Sequence, residues 1–359
     1  MNNSKKIFKI SFLGDISLNG VYEEMYLKGE NPFENVCETF EDDELIVGNL
    51  ECFSRGVYGV NELKKPRLET SQETLNYLTN FNLGVACLAN NHVFDHLEDG
   101  FEKTVKVLSE NKIKTLGASL SKKEYTKPLT LEENGIKVCI LNYVTKDTNP
   151  NPPEGTKINL NWFEINNTIN EIKQLKNKVN HIVVSIHWGG IVEGGLYPDF
   201  DQPKIARRLI DVGADLIIGH HSHTVQPFEI YKGKHIYYSL GNFCFSDFIF
   251  DGENHIMPKR RKYSLVISVK FNKFDYSISN NYFFNNIKNI VKFNRYSKIL
   301  FFRNFIFKYL IKNYFFWNIY YFNHRKIIPI ILYLNRSDMS ISEKFRKLNF
   351  KKFKKYIKS

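Results

Sequence analysis

Three histidines stand close together after an apolar run in the second half of the chain. Residues 216–218 have the length and branched side chains of a buried strand, Gly219 ends the run, and His220, His221 and His223 follow. With one residue between them, His221 and His223 could direct both imidazoles at one point from a strand-end loop. Such nitrogen ligands suit a metal ion. A histidine taken alone is more often an ordinary core or surface residue.

Four other apolar runs also end in residues that can bind a metal ion. They cover residues 7–13, 45–47, 83–88 and 182–186, and the residues that follow are, in order, Asp15, Glu51, Asn91 with His92, and His187. In open α/β sheets, ligands bind beyond the carboxyl ends of the strands. We therefore expect these side chains to gather at one edge of the fold.

The combined donor set is chemically coherent for a divalent cation. Carboxylates supply charged oxygen, an asparagine amide supplies neutral oxygen, and histidines supply nitrogen. This mixture suits Zn, Mn or Fe, either as one ion or as a pair bridged by a carboxylate. Two ions can activate water and stabilise the charge on a phosphoryl group, and His92 could act beside them as an acid.

Each member of this set has a simpler explanation when it is taken alone. Asp15 could be a turn former, Glu51 could pair with Arg55, and Asn91 could belong to a left-handed turn. His187 could be a core histidine. The prediction of a metal site therefore depends on the joint pattern. Four other histidines lack such neighbours and are predicted to be ordinary: His96, His181, His235 and His255.

The elements that must position these residues alternate between strands and helices along most of the chain. Helices are predicted at residues 71–80, from the capping-box spacing of Thr70 and Glu73, from Asp99 onward, and at residues 165–175 and 203–212. Hairpins are predicted about Asn134-Gly135 and about Lys232-Gly233-Lys234, and two later strands at residues 263–271 and 276–284. This order favours an α/β fold with two stacked sheets flanked by helices.

The charge is distributed unevenly over the 359 residues, which carry a formal net charge of +12. Residues 281–359 hold 18 of the 50 basic residues and 2 of the 38 acidic ones, a net charge of +16. The preceding 280 residues therefore carry a net charge of −4. We predict a mildly acidic domain over residues 1–284 and a basic, aromatic-rich, helical C-terminal extension over residues 285–359.

The cysteines and the N-terminus bear on the cellular location. The cysteines are odd in number and scattered, and no Cys-x-x-Cys pair occurs, so neither a disulfide framework nor a cysteine-rich zinc site is indicated. A reducing compartment fits best. The first apolar run is interrupted by Lys9, is too short to span a bilayer, and has no small-residue cleavage site. We expect a cytoplasmic protein, either free or peripheral on the inner face of the membrane.

The residues at the ends of the five runs also match a known family. The chain resembles the bacterial capsule-synthesis proteins of the CapA type, which are linked to poly-γ-glutamate and belong to the calcineurin-like metallophosphoesterase superfamily. The resemblance covers about residues 7–250, and its five blocks occur in the right order. The blocks are Gly14-Asp15, Asn49-Leu50-Glu51, Ala89-Asn90-Asn91-His92 with Asp95, His187-Trp188-Gly189, and a last one from Gly213 through His220-His221-Ser222-His223 to Asn242-Phe243.

This resemblance implies a four-layer α/β/β/α sandwich with a metal site between the sheet ends. Glu51 would bridge, and the ligands would be Asp15, Glu51, Asn91, His187, His221 and His223. His92 would be the acid next to the substrate, and we expect Asn90, His220 and Asn242 to contact the substrate. The implied function is the synthesis of a capsule or cell-envelope polymer, poly-γ-glutamate or polysaccharide, by a protein with a metal-dependent hydrolase-type site. The substrate would be an anionic polymer or a phosphoester.

Departures from the family pattern keep a second interpretation open. Ser17 stands where metallophosphoesterases usually carry the histidine of Asp-x-His, which weakens the case for two metal ions. CapA-type proteins usually place Glu-Tyr soon after His-Trp-Gly, whereas Gly190 and two apolar residues precede Glu193 here. Many relatives also carry an N-terminal membrane anchor, whereas for this chain we expect neither an anchor nor an export signal. The alternative is a non-catalytic accessory subunit that binds a metal or a polymer in a membrane-associated synthesis complex.

The basic C-terminal segment is rich in aromatic residues. Residues 281–359 hold 22 of the 53 aromatic residues of the chain. The apolar stretch at residues 299–322 is interrupted by Arg303, Lys308 and Lys312, so it is a poor transmembrane span. Its composition suits the surface of an anionic membrane. Helices that pack on the domain are the alternative, and nucleic acid is not favoured because no stacking-platform motif occurs.

Overall fold

The computed structural model describes residues 6–190, 193–250 and 253–323 and residue 327. The chain divides into two compact units, Met1–Asn304 and Phe305–Ser359. All of the candidate site residues belong to the first unit. The division predicted between residues 284 and 285 stays a prediction.

The described residues form twenty strands and eight α-helices. The strands are β1 (Phe8–Ile16), β2 (Leu45–Leu50), β3 (Phe53–Ser54), β4 (Glu69–Thr70), β5 (Leu83–Cys87), β6 (Lys114–Leu116), β7 (Ala118–Ser119), β8 (Leu129–Glu133), β9 (Ile136–Val144), β10 (Asn159–Leu160), β11 (His181–His187), β12 (Leu216–His220), β13 (Phe228–Tyr231), β14 (Lys234–Tyr237), β15 (Asn242–Cys244), β16 (Phe248–Phe250), β17 (Glu253–His255), β18 (Tyr263–Phe271), β19 (Tyr276–Asn285) and β20 (Ile290–Lys292). The helices are α1 (Val21–Leu27), α2 (Glu34–Cys37), α3 (Tyr77–Asn80), α4 (Leu97–Glu110), α5 (Ile165–Leu175), α6 (Asp201–Val212), α7 (Tyr296–Leu310) and α8 (Tyr314–Phe322).

Two large sheets organise the first unit. The first sheet has eight strands in the order β20-β19-β18-β1-β2-β5-β6, with β15 also paired to β1. The second sheet has six strands in the order β13-β14-β12-β11-β9-β8. In the first sheet, β1, β2, β5, β6 and β15 run parallel. In the second sheet, β9, β11, β12 and β14 do so. Parallel strands bring their carboxyl ends to the same edge of a sheet, which is where ligands bind.

An apolar core joins the two sheets face to face. Alternate residues of a strand point to opposite faces of its sheet. In β1, Ile10 and Phe12 belong to this shared core, and in β9 Val138 and Ile140 do. These side chains are buried, and burying one of this size contributes roughly 1.5–3 kcal/mol. The packing therefore fixes the distance between the two sheets and, with it, the distance between their edges.

Helices cover the outer face of each sheet. Leu13 and Ile16 of β1 pack in a second apolar cluster with α1 to α4, where Phe101 of α4 is buried. On the second sheet, Tyr143 of β9 donates a hydrogen bond to Glu171 of α5. Helix α6 is tied to β13 by an ion pair between Arg207 and Glu229. The four-layer α/β/β/α sandwich expected from the sequence is thus confirmed.

Most of the predicted elements are found, and one helix was predicted wrongly. Helix α5 has the predicted bounds, and both predicted hairpins form. Residues 71–80, in contrast, hold a short 3₁₀ turn and the four-residue helix α3. Thr70 cannot cap them because it lies in β4, where its hydroxyl donates to the carbonyl of Leu18 at 2.7 Å. Ser71 accepts from the Thr74 amide instead, at 3.1 Å.

Helices α7 and α8 form most of the described C-terminal segment, whereas residues 290–292 before them form β20 of the first sheet. Tyr296 at the start of α7 is buried and stacks on Tyr263, with ring centroids 4.5 Å apart. Within the second unit, the rings of Phe307 and Trp317 meet edge to face at 5.9 Å. Across the described residues, no helix combines the length and the apolar character that crossing a membrane requires. The part of the extension from residue 328 onward lies outside the described residues, and the predicted cytoplasmic location stays a prediction.

The close approach of β1 to the segment before β15 makes Gly14 a stability determinant. A Cβ atom added at Gly14 would lie 2.1 Å from the carbonyl oxygen of Gly241, a backbone atom that cannot rotate away. We expect Gly14→Ala to lower the free energy of unfolding by about 2–3 kcal/mol, the usual cost of overpacking. Urea denaturation at neutral pH measures it.

Gly84→Ala in β5 is the matched control, because its Cβ would meet only a terminal methyl of Leu45, at 2.4 Å, which can rotate away. A loss no larger in Gly14→Ala than in Gly84→Ala would contradict the steric account.

Candidate metal centre

The register of the first sheet sets three polar side chains side by side. Asp15 of β1 lies opposite Asn49 of β2 on one side and opposite Asn242 of β15 on the other. All three residues are buried. Asp15 and Asn49 stand near the carboxyl ends of β1 and β2, as the sequence pattern predicts for Asp15, whereas Asn242 is the first residue of β15.

The second sheet contributes a row of histidines to the site. His187 of β11 lies opposite His220 of β12. Beyond β12, the chain turns through His221 and His223, whose φ angles of 88° and 55° lie in the left-handed region. This conformation costs a non-glycine residue about 1–2 kcal/mol, and it is typical of functional sites. The turn brings Nδ1 of His221 to 3.0 Å from Nε2 of His187.

The two rows meet at a buried group of possible ligand atoms. Asp15, Glu51 and His187 each offer one atom, and the three atoms lie within 4.8 Å of one another. Nδ1 of His187 is 3.4 Å from Oε1 of Glu51. His223 faces both carboxylates, with Nδ1 3.4 Å from Asp15 and Nε2 3.9 Å from Glu51. Two strand residues, Asp15 and His187, thus form with Glu51 just after β2 and His223 in a loop a group that could hold a metal ion.

The loop after β5 completes the predicted set of ligands. Oδ1 of Asn91 is 2.9 Å from Nε2 of His187. All six residues predicted as ligands therefore lie in one connected, buried cluster. Their role as ligands stays a prediction.

Asn49 is central to this cluster, and the sequence reasoning did not single it out. Its amide nitrogen donates to Oδ1 of Asp15 at 2.9 Å and to Oε1 of Glu51 at 2.8 Å. It also lies 3.3 Å from Nδ1 of His187. One sequence signal pointed to it, because Asn49 precedes Glu51 by two residues, the spacing that places side chains on one face of a strand.

The three residues predicted to contact substrate are also placed near the cluster. Nδ1 of His220 is 2.9 Å from Asp15, and Oδ1 of Asn242 is 2.9 Å from Nδ1 of His223. Both polar atoms of the Asn90 side chain bond to the backbone. Nδ2 donates to the Leu50 carbonyl, and Oδ1 accepts from the His92 amide. The substrate contacts of these three residues stay predictions.

Burial sets the protonation states of the cluster. Burial lowers the pKa of His187 well below its usual value, and it lowers that of His221 to about 3. Burial also raises the pKa of Asp15, but hydrogen bonds from His220 and His223 outweigh it and hold that pKa well below its usual value. For Glu51, burial and then the charge of Asp15 raise the pKa well above the usual value. His187 and His221 are therefore neutral, as ligands must be, and they lie beside two carboxyl groups that compete for one charge.

The donor set fits a divalent cation. Among the described residues, Oδ1 of Asn49 and Oε2 of Glu51 are buried oxygens without a hydrogen-bond partner. A buried polar atom left unsatisfied costs about 1–3 kcal/mol. A cation between the carboxyl groups would satisfy Oε2 of Glu51 and let Asp15 and Glu51 carry charge together. Carboxylate, amide and imidazole donors together favour a transition metal of borderline softness.

His92 stands at the wall of a cavity beside the cluster. Nδ1 of His92 is 2.6 Å from Oδ2 of Asp95, an oxygen that also accepts from the Leu68 amide at 2.7 Å. The cavity has a volume of about 130 Å³, and Asn91, His92 and His223 line it. The carboxylate of Asp95 therefore fixes the ring of His92 and leaves Nε2 as its free proton-exchanging atom.

The structure excludes the alternative explanation of Glu51. Arg55 pairs with Glu23 and Glu69, so the interpretation that Glu51 pairs with Arg55 is wrong.

The two positions that depart from the family pattern make contacts of their own. Ser17 donates to Oδ1 of Asn19 at 2.8 Å. Glu193 is 3.2 Å from the guanidinium of Arg261, and both line the cavity beside His92.

The four histidines predicted to be ordinary take no part in the cluster's described contacts. His181 is buried at the start of β11, 2.5 Å from the carbonyl of Asn272. His235 pairs with the hydroxyl of Tyr276. His96 faces Glu69, and His255 stacks on Phe248.

Sequence comparison identifies relatives of the chain. The sequence model of one protein family, described as "Bacterial capsule synthesis protein PGA_cap", matches residues 9–247. The PGA biosynthesis protein CapA of Bacillus subtilis is 29% identical over 67% of this chain and 64% of its own length. The capsule biosynthesis protein CapA of Bacillus anthracis is 30% identical over 51% of this chain and 45% of its own length. The chain thus matches about two thirds of one relative and less than half of the other.

More distant similarities are also found. A probable polyglutamine synthesis accessory protein of Mycobacterium tuberculosis is 27% identical over 46% of each chain. Among solved structures, the NAD nucleotidase of Haemophilus influenzae is 15% identical, covers 80% of this chain and 54% of its own, and gives a TM-score of 0.44. The 5'-nucleotidase precursor of Thermus thermophilus is also 15% identical, covers 76% of this chain and 54% of its own, and gives a TM-score of 0.40. These structural similarities are too distant to carry an argument about chemistry.

The lowered pKa of His221 gives the metal-free protein a specific pH dependence. The unfolded chain protonates this histidine below its usual pKa of 6.5, whereas the folded chain does so only near 3. The unfolded state thus binds more protons than the folded state between these pH values. The contribution of His221 to the free energy of unfolding is therefore fully present above pH 6.5 and is lost as the pH falls. Between pH 7 and pH 5, we expect His221 alone to cost about 2 kcal/mol.

Urea denaturation of the metal-stripped wild type and His221→Gln at both pH values measures this contribution. The wild type should lose about 2 kcal/mol more than the variant over this interval. Equal losses in the two proteins would show that His221 does not stay neutral in the fold.

Proposed function

The chain belongs to the bacterial capsule synthesis family PGA_cap, and from this membership we propose that it serves capsule or cell-envelope polymer synthesis through a metal-dependent hydrolase-type site. The polymer would be poly-γ-glutamate or a polysaccharide. The observation that carries the proposal is the buried group of Asp15, Glu51 and His187 at the meeting edge of the sheets. The chain spans less than two thirds of the length of its two CapA relatives.

We propose that the ligands are the six residues Asp15, Glu51, Asn91, His187, His221 and His223. The ion would be Zn, Mn or Fe, because the donors mix carboxylate, amide and imidazole. When bound, such an ion supplies Lewis-acid polarisation of a substrate oxygen and a lower pKa for water. The hydrogen bond of Ser17 to Asn19 favours one ion over two, since no second histidine stands at that position.

In this proposal, His92 exchanges a proton with the leaving group. Its Nδ1 is held by Asp95 at 2.6 Å, so Nε2 is available to the cavity. Burial lowers the pKa of His92, while the neighbouring Asp95 opposes that effect. Because burial lowers the pKa of His92, the protonated ring would be a stronger acid than an exposed histidine. It would therefore donate its proton effectively to a leaving oxygen or nitrogen.

A larger cavity beside the site supports a polymer or an extended ester as the substrate. Its volume is about 940 Å³, within the range of ligand-binding clefts. It shares Lys65, Pro66 and Leu68 with the cavity beside His92. A chain-like substrate could lie in the larger cavity while its reacting bond reaches the smaller one.

Metal content and turnover together test the proposed function. We expect the purified wild type to retain about one divalent ion per chain, and His221→Ala to retain far less because a ligand is lost. We also expect the wild type to hydrolyse a phosphodiester or poly-γ-glutamate, with His221→Ala slower by at least 10²-fold. Elemental analysis and product assays measure both effects.

His235→Ala is the matched control, because His235 is a partly buried histidine whose contacts lie elsewhere, with Tyr276. It should keep both the metal and the activity. Equal metal content and equal turnover in the wild type and His221→Ala would end the proposal.

The second candidate is an accessory subunit that binds a metal or a polymer without turnover. The buried Ser17, bonded to Asn19, favours it, because this position lacks a histidine ligand. Metal retention without hydrolysis of either substrate would favour this candidate. Hydrolysis that depends on His221 would exclude it.

We also propose that α7 and α8 contact the surface of an anionic membrane. No Asp or Glu occurs between residues 276 and 337, whereas Lys298, Lys308 and Lys312 lie in or beside these helices. Large aromatic side chains stand exposed along both helices: Phe301, Phe302, Phe305, Tyr309, Tyr314, Phe315, Phe316 and Phe322. Basic charge next to exposed aromatic rings matches the headgroup region of such a membrane.

Flotation with vesicles tests this contact. We expect the full chain to float with vesicles rich in phosphatidylglycerol, and less so at high salt. Lys308→Glu with Lys312→Glu should reduce flotation at least several-fold, because each basic residue near the surface contributes about 1 kcal/mol.

Lys122→Glu with Lys123→Glu, at two exposed lysines far along the chain, makes the same change in charge and should float like the wild type. Equal flotation of the two double variants would contradict a contact through these helices.

A further inference from the structure

A buried lysine stands beside the candidate metal centre and, among the described residues, makes no direct ion pair. Lys64 is only 4% exposed, and its ammonium group donates a hydrogen bond to the Asn149 carbonyl at 3.1 Å. Among the described residues, no carboxylate lies within ion-pair distance of this ammonium. A buried charge that lacks a partner lowers the stability of a fold. The position of Lys64 is therefore not explained by a salt bridge.

The side chain of Lys64 lies at the wall of the cavity that adjoins the site. This cavity, of about 130 Å³, is lined by Lys64 together with Asn91, His92 and His223. A water occupies about 30 Å³, so the cavity can admit several waters or a group the size of a carboxylate or phosphate. Lys65 and Arg261 also line this cavity, and Arg261 is matched by a carboxylate, that of Glu193 at 3.2 Å.

The ammonium is within electrostatic reach of the site. Burial lowers the pKa of Lys64, while the negative charges of Asp95, Glu193 and Glu51 oppose that effect. The charge of Lys64 in turn contributes to the lowered pKa values of His92 and His221. An anion placed beside Lys64 would therefore lie close to the proton donor and to the proposed ligands.

The backbone around Lys64 holds the side chain in this place. Its amide donates to the Asn61 carbonyl at 3.3 Å, and its own carbonyl accepts from Arg67 at 3.3 Å. Asn149, which accepts from the ammonium, has a φ of 55° in the loop after β9. Two loops thus fix both ends of the lysine, and one hydrogen bond to a neutral carbonyl leaves two of its N–H donors for a ligand.

We propose that Lys64 forms an oxyanion subsite, which receives a carboxylate or phosphoryl group of the substrate and directs the neighbouring bond toward the metal centre. The proposal rests on the proposed function, since it names the chemical class that the same site would bind. An oxyanion would accept the two remaining N–H donors as charge-assisted hydrogen bonds. It would also place a negative charge in direct contact with the ammonium, which no carboxylate of the described residues does.

Two sources can present this oxyanion. The α-carboxylate of a γ-linked glutamate chain is one, and the phosphoryl group of a phosphoester is the other. Calorimetric titration of the full chain with tri-γ-glutamate in one arm and inorganic phosphate in the other distinguishes them. We expect at least one probe to bind the wild type, and Lys64→Met to bind it at least ten-fold more weakly.

Lys234→Met is the matched control. Lys234 is partly buried and paired with Asp215, at the amino end of β14 and away from the site. This variant should bind the probe like the wild type. Binding of the probe by Lys64→Met with wild-type affinity would overturn the subsite, as would failure of both probes to bind the wild type.

A second measurement needs no variant to fold. Reductive methylation of the wild type, followed by peptide mass spectrometry, should show slower modification of Lys64 when the bound probe is present. Equal modification with and without the probe would overturn the subsite.

Metal analysis of the same samples separates this proposal from the proposed function. Retained metal without Lys64-dependent binding would overturn the subsite alone. Lys64-dependent binding in a protein that holds no metal would support the subsite and overturn the metal-dependent hydrolase.

Discussion

Asp15 and Glu51 bury two carboxyl groups near each other at the meeting edge of two sheets, and a single amide, that of Asn49, donates to both. Two carboxylates cannot both ionise at such a place without a counter-charge, because water no longer screens their repulsion. The opposite directions of their pKa shifts express this competition. Around them, burial keeps His187 and His221 neutral, so that each ring can offer a lone pair. A divalent cation would resolve the competition, and most other features of the site fit that arrangement.

The fold supplies this arrangement through strand register and close packing. Asp15, Asn49 and Asn242 form a row because β2 and β15 run parallel to β1 and pair with it at Asp15. A second row, His187 with His220, comes from β11 and β12. The apolar core between the sheets fixes the distance between the rows. The site is therefore a consequence of two sheet edges held in place, and no single loop creates it.

The convergence of the ligand residues could be predicted from sequence because it follows a general rule. Each candidate stood after an apolar run, and parallel strands collect their carboxyl ends at one edge. Helix α5 was also predictable, because its 3.6-residue pattern is local. The helix at residues 71–80 was not, because Thr70 had the sequence of a cap but pairs with Leu18, distant in the chain.

The roles of Asn49 and Lys64 could not be predicted from the sequence. The strand period pointed to Asn49, yet its importance depends on two carboxylates that meet only in the folded protein. Lys64 looks like a surface residue in a polar loop, and its burial arises from contact with the loop that carries Asn149. Packing between loops leaves no periodic signal in a sequence.

The proposed chemistry depends on one cation bound between side chains from the two sheet edges. Crystals of the protein grown with Mn²⁺ and measured by anomalous X-ray diffraction test this claim most directly. The account predicts a strong anomalous peak within bonding distance of carboxylate oxygens of Asp15 and Glu51 and of a ring nitrogen of His187. Crystals that contain Mn²⁺ at full occupancy elsewhere, with no peak among these three residues, would contradict it.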